Sequence, residues 1–524
     1  MSHSNKDVVV IGAGIGGLSA AIRLATYGYR VRVFERQPHV GGKLNRLKMQ
    51  GFSFDTGPSL ITMPYIFQEL FQSANRRLED YLDLVPLDLT CRYFYRDGLI
   101  LNAWRDVAAL STEFACLNPH DGEALYRFLD FTRNLYHAAA DAFLYRSLGS
   151  PLAVSGTFLR YVLKGHPRGV EKVSGETMLS RLQAVFAAFS PATLDNCVRG
   201  FFVDEHLRQL FDRYATYNGS SPYQVGAVYS IIPYVELADG GWYLRGGVYT
   251  LAKALERLAR ELGVDIETCC NVRRILVERG KARGVALADG QVIRSDVVIA
   301  NSDVVTTHSE LLSPSTVTRR RLRKLESLEP SCSGFVLLLG IDKLYPQLAH
   351  HNIFFSDNYP AEFEDLFTHR IPLRNPTIYV CATTRSDASQ APAGHENLFI
   401  LVNAPYLTEA SDWKSEAPAY REHILDLLTN YSQIDLHDLR DHIVCEALLT
   451  PEDFKQKYGS NAGSIYGLSS NARMAPFTRP GNRSKEIRGL YFVGGSTHPG
   501  GGVPLVTLSG KIVAELVKED FRAS

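Results

Sequence analysis

Three glycines, Gly12, Gly14 and Gly17, followed by an acid at Glu35, are the residues whose types and spacing most directly imply chemistry. They complete the pattern G-x-G-x-x-G after a short apolar run, residues 8–11, and before a helical run, residues 18–27. Gly12 permits a tight turn, Gly14 lets backbone approach a pyrophosphate, and Gly17 lets the helix pack closely on the strand. The helix would turn free N–H groups and the positive end of its dipole toward the phosphates. A second strand, residues 30–34, ends at Glu35, about 20 residues beyond the glycines, where a carboxylate accepts hydrogen bonds from a ribose and disfavours a 2′-phosphate. The pattern predicts a bound dinucleotide on a βαβ unit.

Gly41 and Gly42, with Lys43 and Arg46, extend this unit. A second glycine pair allows another backbone approach to the pyrophosphate, and either base can offset its charge. The form GG(K/R)xxR resembles the second half of the FAD signature of the amine oxidase and carotenoid desaturase superfamily, which implies FAD rather than a nicotinamide. The carboxyl end carries a matching signal. Residues 490–493 read as a buried strand, Gly494 and Gly495 open a glycine-rich loop, and a helix is predicted over 504–517 with Pro504 in its first turn. A helix N-terminus aimed at a flavin would stabilise negative charge developing at the N1/O2 edge as the ring accepts a hydride.

The elements that must position these residues are scattered along the chain. Residues 52–54 alternate like a strand before a turn at Gly57 and Pro58. Helical spacing dominates from about 118 to 216 and returns at 243–262 behind Gly246 and Gly247. Strands and hairpins follow, turning at 279–281 and at Asp289 and Gly290 and ending in a buried strand at 297–300. Residues 335–339, 377–381 and 398–402 read as further strands and 417–428 as one long helix. The predicted class is α/β. A Rossmann-like FAD-binding domain is built from residues 1–75, 225–310 and 476–524, interleaved with a substrate domain of antiparallel sheet plus helices at 76–224 and 311–475.

Composition narrows the partners. Lysine plus arginine and aspartate plus glutamate number 56 each, so no basic field argues for nucleic acid. The eight cysteines include no C-x-x-C pair or Cys/His ligand cluster, so no metal is expected and a reducing compartment is. The N-terminus leaves no room for a signal peptide, and no apolar run reaches the roughly 18 residues of a spanning helix. The expected location is cytoplasmic, peripheral on the inner membrane face. Residues 151–170, with apolar positions between Arg160, Lys164 and Arg168, are the candidate interfacial helix.

FDTGPSLIT (54–62), YNGSSPYQVGAVYSIIPYVE (217–236), YLRGGVYTLAKAL (243–255), SGFVLLLGI (333–341), LAHHNIFFS (348–356), GSIYG (463–467), FTRPGNRS (477–484) and GGSTHPGGGVP (494–504) resemble the bacterial phytoene desaturase family, over nearly the whole chain. That family includes diapophytoene and hydroxycarotenoid desaturases and diapocarotenoid oxygenases. The resemblance implies that Gly12, Gly14, Gly17, Glu35, Gly42, Lys43, Gly57, Val272, Gly494 and Val506 lie along FAD. It also implies an acyclic carotenoid or isoprenoid substrate held in a tunnel between the domains.

Desaturation would send a hydride to flavin and a proton elsewhere, and a dry slot aligned with the ring supplies much of the acceleration. The reduced flavin then passes electrons to a quinone or to dioxygen. Asp239, His498 and Arg245 are the candidates near the reacting atoms, with Arg245 as a loop-orienting residue. The pair Glu236 and Asp239 reads more simply as a solvated turn. The leading expectation is an FAD-dependent desaturase acting on phytoene or diapophytoene. The alternatives are a family member that oxidises terminal methyl groups to aldehydes, and a non-catalytic flavin and isoprenoid carrier.

Overall fold

The structure is a computed structural model that describes residues 6–147, 161–163, 177–431, 434–472 and 475–522. Its organising element is a five-stranded parallel sheet in the order Leu490–Phe492, Val297–Ala300, Asp7–Ile11, Arg30–Phe34 and Asp265–Glu267. The central strand shows why apolar runs were needed here. Val8 and Val10 face a helical layer, whereas Val9 and Ile11 face a three-stranded antiparallel sheet, Val272–Glu278, Lys281–Leu287 and Val292–Arg294. With both faces covered, a strand of period two has no polar side to expose.

Helix Ile15–Thr26 packs between Tyr249–Glu261 and Val503–Arg522. Ser19 Oγ donates to the Thr507 carbonyl at 2.8 Å. A Cβ on Gly510 would lie 2.6 Å from Ser19, so this helix pair tolerates only glycine at the crossing.

The second sheet has seven strands in the order Ile443–Leu449, Ser333–Ile341, Glu396–Ala404, Ile378–Cys381, His351–Phe354, Leu89–Phe94 and Ile100–Trp104. Its pairings are antiparallel except that of His351–Phe354 with Leu89–Phe94. Alternation sorts its side chains. Phe335, Leu337, Leu339 and Ile341 pack on helix Trp413–Thr429, while Val336 and Leu338 point to the opposite face with Phe399. That opposite face looks into the interior cavity.

Asp55, at the end of strand Phe52–Asp55, joins the layers by accepting from the Val248 and Tyr249 N–H groups at 2.8 and 3.1 Å. The carboxylate fills the space beside Gly247, whose φ of +92° suits glycine. Burial pushes the Asp55 carboxyl up to about 6 against these backbone donors.

Several elements depart from the expected bounds. The helix expected at 417–428 runs Trp413–Thr429, because Asp412 caps it through the Ser415 N–H, and it continues through Pro418. The helix expected at 504–517 runs Val503–Arg522. The helical pattern after Glu205 divides into an α-helix, Glu205–Asp212, and a tighter 3₁₀ segment, Arg213–Asn218, ended by Gly219 in the left-handed region. Of the expected interfacial helix at 151–170, only residues 161–163 are described, and the rest lies outside the described residues. No helix among the described residues is long and apolar enough to cross a membrane.

A flavin cradle continuous with a second chamber

A cavity of about 770 Å³ runs from the carboxyl ends of the parallel strands to the inner face of the seven-stranded sheet. This is where open α/β sheets bind ligands. At the strand end its wall is mostly backbone. Gly12 has φ +93°, and a Cβ on Gly14 would lie 2.7 Å from Asn301 Oδ1. Gly17 does not line the cavity; its Cβ would lie 2.3 Å from the Gly12 carbonyl, so its role is the close contact of helix with turn. Gly41 donates to the Ala13 carbonyl at 2.9 Å, which brings the second glycine pair beside the first.

Gly42, Gly57, Val272, Gly494 and Val506 all line the same space. A Cβ on Gly57 would sit 2.1 Å from the Lys43 carbonyl, and one on Gly494 (φ +117°) 2.8 Å from Asn301 Nδ2. Asn301 thus abuts three of these glycines while its Nδ2 donates to the Val493 carbonyl at 3.0 Å. Sequence reasoning missed it. The available signal was the polar run Asn301, Ser302 and Asp303 directly after the buried run 297–300.

Two residues take different partners from those expected. Glu35 accepts from the Ala13 N–H at 2.7 Å and the Gln37 N–H at 2.9 Å, and its oxygens retain acceptor capacity toward the cavity. Lys43 spends its ammonium on the Ser464 and Ile465 carbonyls, each at 2.9 Å, rather than standing free for a phosphate. Burial lowers it to about 8, partly offset by the nearby Asp303. Arg46 turns away, its guanidinium over the Tyr249 ring at 5.4 Å. Positive character at this end also comes from the N-terminus of helix Val503–Arg522, where Gly502, Val503 and Pro504 face the cavity, and from Arg36, Arg273 and Lys457 in its lining.

The three candidates for the reacting end are not brought into the cavity. Arg245 is exposed and paired with Asp83 at 2.6 Å. Asp239 ends helix Ile231–Asp239, half-buried, its carboxyl pushed by burial up to about 6. His498 is 1% exposed and donates from Nε2 to the Arg146 carbonyl at 2.8 Å; burial lowers it to about 4, so it is a neutral packing residue. Only the His498 loop reaches the cavity, through Gly494, Gly495, Ser496, Gly501 and Gly502; the glycines beside Asp239 and Arg245 do not line it.

The far chamber is lined by side chains from widely separated segments. His351 Nδ1 meets Tyr379 Oη at 2.7 Å, and Tyr379 in turn meets Ser59 Oγ. Burial drives His351 well below its usual range, so it is neutral. His350, His351 and Cys381 place one donor atom each within 4.8 Å of one another, and all three are buried. Glu236, read from sequence as part of a solvated turn, is 2% exposed and lines the chamber. It accepts from Tyr214 Oη at 2.8 Å and from Tyr217 Oη. The tyrosines lie on the 3₁₀ segment, whose tighter winding the helical reading did not anticipate.

A two-lobed fold with a glycine cradle for a dinucleotide and an enclosed apolar chamber beyond it defines a flavin-dependent oxidoreductase. The steric limits at Gly14, Gly57 and Gly494 fit an extended FAD, since each leaves room only for backbone against the ligand. The family profile described as flavin containing amine oxidoreductase matches residues 15–518. The chain is 40% identical over 525 residues to a 4,4′-diapolycopene oxygenase of Methylomonas sp., covering 99% of this chain and 100% of that protein. It is 35% identical to a 4,4′-diaponeurosporene oxygenase of Staphylococcus haemolyticus, covering 98% and 97%.

Among solved structures, an oxidoreductase from Methanosarcina mazei matches with TM-score 0.62 at 20% identity over 97% of this chain and 100% of that one. Cyclohexylamine oxidase from Brevibacterium oxydans matches with TM-score 0.56 at 16% identity over 98% and 99%. These two show the fold. The chain belongs to the carotenoid desaturase and oxygenase family within the flavin-containing amine oxidoreductases. It is an FAD-dependent oxidoreductase of carotenoid biosynthesis.

Proposed function

We propose that this enzyme oxidises terminal methyl groups of an acyclic 4,4′-diapocarotenoid to aldehydes, with dioxygen as the final electron acceptor. Full-length identity of 35–40% to two proteins named as diapocarotenoid oxygenases carries this reading. The desaturase expectation, placed first from sequence, has less support, because these relatives are named for oxygen insertion. The net balance per end is R–CH₃ plus O₂ to R–CHO plus water. FAD, when bound, supplies the two-electron redox chemistry. Gly12, Gly14, Gly17, Glu35, Gly42, Lys43, Gly57, Val272, Gly494 and Val506 contact or shape its site in this reading.

The protein's part is to orient an end group in the far chamber and exclude water from it. Val336, Ile353, Phe399 and Leu401 supply an apolar wall, and the Ser59, Tyr379 and His351 chain supplies neutral hydrogen-bonding groups where oxygen enters. Residues 1–75, 225–310 and 476–524 form the cofactor side and 76–224 and 311–475 the substrate side.

The test is expression in cells that accumulate diapolycopene or diapophytoene, followed by mass spectrometry of the pigments. Gain of one oxygen with loss of two hydrogens per end is expected. Loss of hydrogens alone from diapophytoene would restore the desaturase reading.

Peripheral membrane association is part of the proposal, since the substrate is a lipid. Met178, Leu182, Phe186 and Phe189 recur at near-helical spacing and are exposed, Phe186 by 69%. Flotation with liposomes should fall several-fold for Leu182→Glu with Phe186→Glu; unchanged flotation with intact flavin absorbance would remove this surface from the account.

A further inference from the structure

Arg213 is the unexpected charge in the far chamber. Its residue is 8% exposed and lines the cavity. One amino group donates to Tyr93 Oη at 3.0 Å. Its guanidinium lies over the rings of Tyr93, Tyr214 and Tyr217 at 5.4, 4.9 and 5.2 Å. Nε is buried with no partner. Among the described residues it makes no ion pair, and Glu236 accepts instead from the hydroxyls of Tyr214 and Tyr217. An arginine cannot shed its charge, so burial leaves a cation held by aromatic faces and short of acceptors.

A hydrocarbon polyene offers such a group nothing. An oxygen at the end of a polyene offers two lone pairs to a forked donor, and the conjugated chain behind it fits the aromatic and aliphatic walls. We infer that Arg213 and its tyrosine collar form a recognition site for the oxygenated terminus of a partly oxidised polyene, a conjugated carbonyl above all. The inference deepens the proposed reaction and rests on it in one respect: the enzyme's own intermediates and products are then the ligands. The site would hold an oxygenated end in the chamber where it is made, so that an end which has taken up its first oxygen is retained until it reaches the aldehyde.

The carbonyl of a polyene aldehyde reports directly on a neighbouring cation, since stabilising charge on its oxygen moves the absorption band to longer wavelength. The purified FAD holoenzyme in detergent micelles is titrated with diapolycopene and with its monoaldehyde, alongside Arg213→Met and Arg213→Lys, with flavin absorbance monitoring the fold. Expected for the parent enzyme are a red-shifted band for the bound aldehyde and binding at least about tenfold tighter than that of the hydrocarbon, a ratio set by a charge-assisted hydrogen bond.

Arg213→Met should abolish shift and preference with flavin retained, and Arg213→Lys should keep part of both. The same aldehyde band and affinity in the parent and in Arg213→Met would overturn the inference. An enzyme that shifts the aldehyde band yet makes no oxygenated pigment in cells would overturn the proposed reaction while supporting this site. One that oxidises its substrate without any shift would do the reverse.

Discussion

The two ends of the cavity are built on different principles. The cradle end is a backbone surface, where Gly12, Gly14, Gly42, Gly57 and Gly494 admit a ligand because a side chain at each would collide or strain. The far end is a side-chain surface in which Ser59, Arg213, Glu236, His351 and Tyr379 converge from five separate segments, Ser59 and His351 meeting at the Tyr379 hydroxyl and Arg213 and Glu236 held by the hydroxyls of Tyr93, Tyr214 and Tyr217. A site that recognises the invariant part of a ligand, its phosphates, can be made of main chain. A site that must fit a particular substrate needs chemistry that main chain lacks.

The largest effect should come from breaking the cradle. Gly17→Val places carbon against the Gly12 carbonyl, a contact of 2.3 Å at Cβ that only main-chain movement relieves. FAD binding should weaken by about 100-fold or more, since a displacement near 1 Å at a preorganised site is costly on that scale. The ratio of flavin to protein absorbance after purification measures it, and normal flavin content would show the cradle to be more plastic than its geometry implies.

A smaller effect is expected at the opposite end. Glu236→Gln supplies one good acceptor where two tyrosine hydroxyls need them, at a cost of about 1–3 kcal/mol. Product yield should fall about tenfold while FAD affinity stays within about twofold. Loss of both together would mean that the two ends are not separable.

The smallest effect concerns acid. Each end carries a buried neutral imidazole: His498, lowered to about 4, behind the cradle, and His350, lowered to about 3, behind the far sheet. A depressed histidine contributes stability that is present above its usual 6.5 and lost as pH falls toward the folded value. Asp55 and Glu362, pushed up by burial to about 6 and about 7, act oppositely, their contribution fading as pH rises. With His350 and His351 both depressed further than His498, the far sheet should lose more stability than the cradle on acidification. His498→Asn should flatten the decline in denaturation midpoint between pH 7 and pH 4.5, and an unaltered slope would remove His498 from this account.

Legibility in the sequence followed the same division. The turn glycines and the strand before them were readable because backbone conformation is a local property, and residues 8–17 contain the whole argument. The parallel strand at 297–300 was readable because full burial on two faces leaves an uninterrupted apolar run. Asn301 was not, since its importance lies in abutting glycines from residues 12–17 and 494. Arg213 and Glu236 were not, since Arg213 meets Tyr93, 120 residues away, and Glu236 meets Tyr214 and Tyr217 across a fold between separate helices. Lys43 was placed correctly and its partner was not, because charge in a motif does not reveal which oxygen it meets.

The hydrogen bond from Ser19 to Thr507 spans 488 positions, and the parallel sheet that begins with Asp7–Ile11 is completed by Val297–Ala300 and Leu490–Phe492. A ribosome therefore delivers the first glycine turn long before the helix that buttresses it, and loops of this length close slowly. Through most of its synthesis the amino-terminal unit exposes an apolar helix face and unfilled sheet edges. The cradle is consequently complete only once residues 494–506 have been made and packed against the first glycine turn.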